Sequence, residues 1–148
     1  MKIDYTNKQQ FDDIYLHDAV FEGFSYVYEK REIRFDCTHD WLKKRNAFRF
    51  SNVIFFEMQG CRFWGPCANI YHGWVEENAE PFQRLLEMQR EDEEKAPKDG
   101  DRSYSLLADG TEYFAVCIQM LSGDKLLIIC ESIDWEESAI SEDAGGEQ

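Results

Sequence analysis

Apolar side chains in the C-terminal third of the chain fall into three strand-like runs within 102–135, at 103–107, at 112–121 and from Lys125 onward, separated by Asp109-Gly110 and Gly123-Asp124. Both dipeptides suit two-residue hairpin loops, because glycine adopts positive backbone angles at little cost. Loops of that length set Ser122 opposite Lys125, Cys117 opposite Cys130 and Leu106 opposite Tyr113, which makes 112–121 a central strand with a neighbour on each side. Alternation then assigns Phe114, Val116, Ile118 and Met120 to one face, with Leu127, Ile129 and Ile133 from the following run. Tyr113, Ala115, Cys117, Leu121, Leu126, Ile128 and Cys130 take the other. Since both faces are apolar, both need cover.

Upstream, 20–28 reads as a strand, Glu29-Lys30 as a tight turn, and 32–37 as a second strand with Ile33, Phe35 and Cys37 alternating against Arg34 and Asp36. The stretch 38–45 is polar except for Trp41 and Leu42, and reads as a loop or one helical turn. Strands resume at 47–50 and 53–58, with a shorter one at 61–64 that Gly65-Pro66 ends, whereas 67–74 is aromatic-rich without a firm period. A short helix is expected within 7–16, with Phe11, Ile14 and Tyr15 on one side. Pro81 opens another, whose stripe of Phe82, Leu85, Leu86 and Gln89 faces away from Glu80, Arg84, Glu87, Glu91 and Glu94. The expected fold is α+β and strand-rich: mainly antiparallel sheet, sandwich-like or a partly closed barrel, with one amphipathic helix, about residues 80–92, covering a face. One globular domain is expected over 1–136 and an acidic flexible tail over 137–148, where apolar residues are too few to order the chain.

Composition sharpens this picture in three ways. Eleven Phe, seven Tyr and four Trp in 148 residues imply a core built from large flat side chains. An N-terminus without a signal-type apolar core, together with five cysteines in no disulfide-framework spacing, suggests a cytoplasmic protein with reduced thiols that does not enter a membrane. The net charge of −14 is gathered into 76–101, with ten acids and four bases, and 131–148, with seven acids and no base. That distribution disfavours nucleic-acid binding, which needs clustered Lys and Arg, and suits a basic protein partner.

Candidate chemistry is sparse. His17-Asp18 and His39-Asp40 have the dipeptide form used by metal phosphohydrolases, but here they sit beside strands, and the bland expectation is His17 hydrogen-bonded at a hairpin entrance and His39 exposed in a loop. Cys37, His39, Cys61, Cys67 and His72 are zinc-ligand types without the close cysteine pairs of zinc modules, so the expectation is free buried thiols with no metal and no cofactor. Neither a nucleophile elbow nor a phosphate-binding glycine loop is present, and with 30 carboxylates spacing singles out none, so no catalytic residue is assigned. Tyr71, His72 and Trp74, near Trp64, form the densest group of side chains common at interfaces, although in an aromatic-rich chain such groups are more often core.

Leu16-His17-Asp18-Ala19 ahead of the 20–37 hairpin, and Phe50 to Phe56 leading to Trp64-Gly65, resemble small uncharacterised bacterial proteins with an LHDA or HDS opening, some of them similar to immunity proteins of bacterial toxin systems. The resemblance covers the first half of the chain. It implies an acidic cytosolic protein that occupies a partner, and it carries over no catalytic residue. The leading expectation is thus a non-enzymatic protein-binding module, an immunity or inhibitor protein neutralising a basic partner such as a toxin through Tyr71, His72, Trp74, Glu80, Glu87 and Glu91. The runner-up is a small-molecule-binding or enzymatic domain with an aromatic-lined pocket near His17, Asp18 and His39.

Overall fold

The computed structural model describes residues 1–59, 69–95 and 110–140. Strands β1 (Lys2–Asp4), β2 (Val20–Val27), β3 (Glu32–His39), β4 (Lys44–Ser51), β5 (Phe55–Gln59), β6 (Ile70–Val75), β7 (Phe114–Met120), β8 (Lys125–Cys130) and β9 (Ser132–Ala139) are joined by one α-helix, α1 (Glu80–Lys95). A 3₁₀ segment, Tyr5–Asp13, follows β1, where a short helix was expected. Among the described residues the strands form two antiparallel sheets, ordered β1-β9-β4-β3-β2 and β5-β8-β7-β6. The fold is an α+β sandwich-like arrangement, and the barrel is not closed. The expected strands at 61–64 and 103–107, the pairing of Leu106 with Tyr113, and Trp64 all lie outside the described residues.

Two long antiparallel ribbons build the corner between the sheets. The chain from β4 into β5 runs beside the chain from β8 into β9, and pairing continues through the bend: Glu131 N–H donates to Ser51 O at 3.2 Å and Ile54 N–H to Ile129 O at 2.9 Å. Strands that change sheet at a local irregularity are the usual way to turn such a corner. Here the irregular residue is Asn52, whose φ of 50° is a left-handed value that asparagine tolerates better than most residues. Its Nδ2 donates to Tyr113 Oη (3.3 Å) and Glu131 Oε2 (3.2 Å), so the side chain ties both halves of the bend. The bend corrects the expectation that Ile133 shares a sheet with Ile129, because Ile133 lies in β9, one sheet away.

The hairpin β7–β8 forms where expected, but in another register. Cys117 pairs with Leu127 and Phe114 with Cys130, so Cys117 and Cys130 are not opposite each other. The reason is the loop: Met120 N–H donates to Asp124 O at 2.8 Å, leaving a three-residue connection whose last residue is Gly123 at φ 94°. A turn followed by a left-handed glycine is a second standard hairpin solution, and it uses the same glycine as the last loop residue instead of the first. The resulting shift of three residues is odd, which exchanges the faces of β8. Leu126, Ile128 and Cys130 therefore join Phe114, Val116, Ile118 and Met120 in the main core, while Leu127 and Ile129 turn to the other face with Ala115. Leu121, expected on that face, is in the loop and exposed. β7 is central, as expected, with β8 on one side, but its neighbour on the other side is β6, where the 103–107 run was expected.

Between the sheets, Ile3, Phe11, Leu16, Ile33, Phe35, Phe48, Phe50, Ile70 and Ile118 are among the enclosed side chains, and aromatic edges meet there, as in the 5.8 Å Phe35–Phe48 pair. α1 covers the outer face of the second sheet: Phe82 and Leu85 pack against Ala79, Tyr113, Ala115 and Ile129. This is the cover expected from the 80–92 stripe. Other expectations need correction. β3 continues to His39 and β4 begins at Lys44, so pairing of Thr38 with Arg45 and His39 with Lys44 replaces the loop expected over 38–45. Residues 70–75, within the stretch lacking a period, form the edge strand β6. β9 runs through Ala139, where Glu137 pairs with Asn46 and Ser138 with Arg45, beyond the boundary expected at 136.

Candidate functional site

Leu16, His17, Asp18 and Ala19 form one tight turn, closed by Ala19 N–H donating to Leu16 O at 3.0 Å. Each residue has a local reason to be there. Leu16 and Ala19 are buried, and Asp18 supplies the left-handed residue at φ 64°. The turn is fastened to the start of β6 by Asp18 N–H to Ile70 O (2.8 Å) and Ile70 N–H to Ala19 O (2.7 Å). His17 Nδ1 lies 3.0 Å from Tyr71 O, and His39 Nε2, from the end of β3, lies 3.1 Å from His17 O. Since carbonyls only accept, both ring nitrogens act as donors. His17 Nε2 is 3.4 Å from Asp18 Oδ2, an ion pair when the ring is protonated.

These links gather side chains that are far apart in sequence. The Tyr15 ring stacks on His39 (centroids 5.2 Å, 14°) and meets Trp41 edge-on at 6.2 Å, while the Tyr71 ring meets His17 edge-on at 6.0 Å. Tyr15, Trp41 and Tyr71 are nevertheless 52%, 62% and 51% exposed, and Leu42 beside Trp41 is also exposed. Tyr15 and Trp41 touch, Tyr71 joins them through the His17 ring, which lies 6.5 Å from Tyr15, and hydrogen bonds beneath hold this exposed surface in place. His39 is only 2% exposed, which corrects its expected place in an open loop: as an inward residue of β3 it is roofed by Tyr15.

Beside this surface lies a groove of about 390 Å³ lined by the 3₁₀ segment's end and β6, with Asp12, Asp13, Tyr15, His17, Tyr71 and His72 among its residues. The 3₁₀ segment is anchored on β6 and on the turn after it. Asp12 Oδ1 accepts from Val75 N–H at 2.7 Å, and Lys8 and Gln9 both reach Glu77. The hydrogen bond from Gln9, followed by that from Lys8, holds the Glu77 carboxyl below its usual range. Close packing of Gly73 against Phe11 and Leu16 completes the anchor.

Of the residues singled out in the sequence, His17, Asp18, His39 and Tyr71 converge here, with His72 on the groove's far wall. Trp74 does not face this surface: its ring stacks on His72 at 5.9 Å, and its Nε1 donates to Glu76 Oε2 at 2.8 Å. Glu80, Glu87 and Glu91 stand exposed on α1 as a separate acidic face. Tyr15 carries the site but was expected on the apolar side of a helix, and instead lies past the 3₁₀ segment, half exposed. The signal for Trp41 was its isolation in the polar stretch 38–45, directly after His39-Asp40. No group of three or more His, Cys, Asp or Glu side chains suited to a metal ion occurs among the described residues. Cys37 is buried in β3, and Cys61 and Cys67 lie outside the described residues. No described helix is long and apolar enough to cross a membrane. The chain matches no protein-family model, no curated protein and no solved structure.

Proposed function

We propose that this protein is a non-enzymatic binding module of the immunity or inhibitor type, which occupies a basic partner protein through the surface formed by Tyr15, Trp41 and Tyr71. The observation that carries the reading is the exposure of three rings, linked through His17, whose positions are set by the Leu16–Ala19 turn and His39 beneath them. Large amphipathic rings held rigid before contact lose little entropy on binding and dominate interface energetics. The acidic face of α1, with Glu80, Glu87 and Glu91, steers a basic partner by long-range attraction and makes association dependent on salt. A catalytic role for His39 is disfavoured, because its Nε2 is engaged by the His17 carbonyl and its face by Tyr15.

Calorimetric titration against each candidate basic protein encoded by a neighbouring gene, at low ionic strength, tests the proposal. Trp41→Ala, at an exposed turn position, is expected to weaken binding about 30-fold or more with the fold intact by circular dichroism. Undetectable affinity, or a Trp41→Ala variant that binds like wild type, would sink it. A second reading, a small-molecule pocket, draws on the convergence of His17 and Tyr71 at the groove, and calls for a low-molecular-weight ligand that shifts the amide resonances of His17 and Tyr71 without a protein partner.

A further inference from the structure

We infer that the groove beside the aromatic surface is a seat for a single arginine side chain of the basic partner, an inference that rests on the binding-module reading and adds the chemistry of its anchor. Two carboxylates, Asp12 and Asp13, and two phenol rings, Tyr15 and Tyr71, line one concavity, and no Lys or Arg is among its eight lining residues. The one base of the 3₁₀ segment, Lys8, is already engaged, 3.3 Å from Glu77 Oε2 and 4.1 Å from the Tyr5 ring centre. No Lys or Arg among the described residues forms an ion pair with Asp12 or Asp13. Asp12 uses Oδ1 to accept from Val75 N–H, which fixes its carboxyl at the groove wall, and Asp13 is exposed at its rim.

A planar guanidinium matches this lining in both of its chemistries. Its edge donates paired hydrogen bonds to a carboxylate, and its face stacks on an aromatic ring. An ammonium offers the charge without the plane. Citrulline, neutral and of the same length, keeps the plane and N–H donors but loses the charge, so discrimination against it measures the charge and discrimination against lysine measures the plane.

The test uses the full-length chain, labelled with nitrogen-15, titrated with a capped pentapeptide carrying one arginine between glycines, and with its citrulline and lysine counterparts. The arginine peptide is expected to shift the amide resonances of Asp13, His17 and Tyr71, with the citrulline peptide at least about tenfold weaker and the lysine peptide intermediate. Asp13→Asn, a change at an exposed position, is expected to weaken the arginine peptide about tenfold, while Glu29→Gln, at an exposed position between β2 and β3, leaves it unchanged. Equal binding of arginine and citrulline peptides, equal binding of arginine and lysine peptides, or an Asp13→Asn variant that binds as wild type, overturns the inference. The same variants against the partner protein separate the two proposals. Binding that Trp41→Ala weakens and Asp13→Asn does not overturns the arginine seat alone. An arginine peptide that binds, with no basic protein that does, overturns the binding module and leaves the seat standing.

Discussion

Asn52 shows how much a single residue decides. Its left-handed backbone turns the corner, and its side chain bridges Tyr113 and Glu131. Asn52→Ala keeps neither property comfortably and is expected to cost about 1–2 kcal/mol in urea unfolding. Asn52→Gly keeps the backbone freedom and loses only the bridges, so it should be the milder change by about 1 kcal/mol. The opposite order would mean that the backbone is not strained there. The buried thiols report on the same interior by titration. Desolvation pushes Cys37 up to about 12 and Cys117 to about 11, and it moves Cys130, enclosed between the sheets, in the same direction. A raised thiol pKa means the folded state holds the proton more tightly than the unfolded chain, whose thiols titrate near 9.0. Stability from this source is complete below that pH and declines as pH rises from there toward 12. The urea midpoint should therefore be flat between roughly pH 7 and 8.5 and fall above pH 9, with Cys117→Ala falling less steeply. The burial of Cys37 was legible from its place in an alternating strand. The burial of His39 was not, because whether a polar residue at a strand end is roofed depends on a tyrosine 24 positions earlier.

Among the elements, β6 is the least legible and carries the most. Its sequence, Ile70–Val75, mixes a bulge near Tyr71 with a glycine, which erases the period-two signal that marks β3. Gly73 is there for proximity. A β-carbon at that position would lie 3.0 Å from Leu16 Cδ1 and 3.2 Å from Phe11 Cε1, both buried. Gly73→Ala is expected to cost about 1–3 kcal/mol by forcing the 3₁₀ segment off the strand. The groove should loosen with it, read as broadened amide resonances at Asp13 and Tyr71. A variant with unchanged stability and unchanged spectra would show that the segment is free to move away. α1 was easier to read, because its apolar spacing of three and four residues is a local property, and Phe82 and Leu85 from that stripe pack against the sheet.

For the whole molecule, a net charge of −14 sets a background of self-repulsion that counterions reduce. Thermal unfolding is expected to shift upward by about 2–5 °C between 10 and 150 mM sodium chloride, whereas binding to a basic partner should weaken over the same range. A melting temperature that falls with salt would mean that attractive ion pairs, such as Arg49 with Asp134 and Glu32, outweigh the repulsion. Local pattern alone determined the hairpin over β2 and β3, the helix after Pro81 and the two-sided apolar character of β7, because each depends on periodicity within a few consecutive residues. Tertiary structure decided the rest. Gly123 serves two loop lengths equally well, so only packing against the opposite sheet selected the register that buries Leu126, Ile128 and Cys130 together. Likewise Tyr15, His39 and Trp41 meet, and Tyr71 joins them through His17, because hydrogen bonds tie the Leu16–Ala19 turn to β6 and to His39, and contacts between distant segments leave no periodic trace in any one of them.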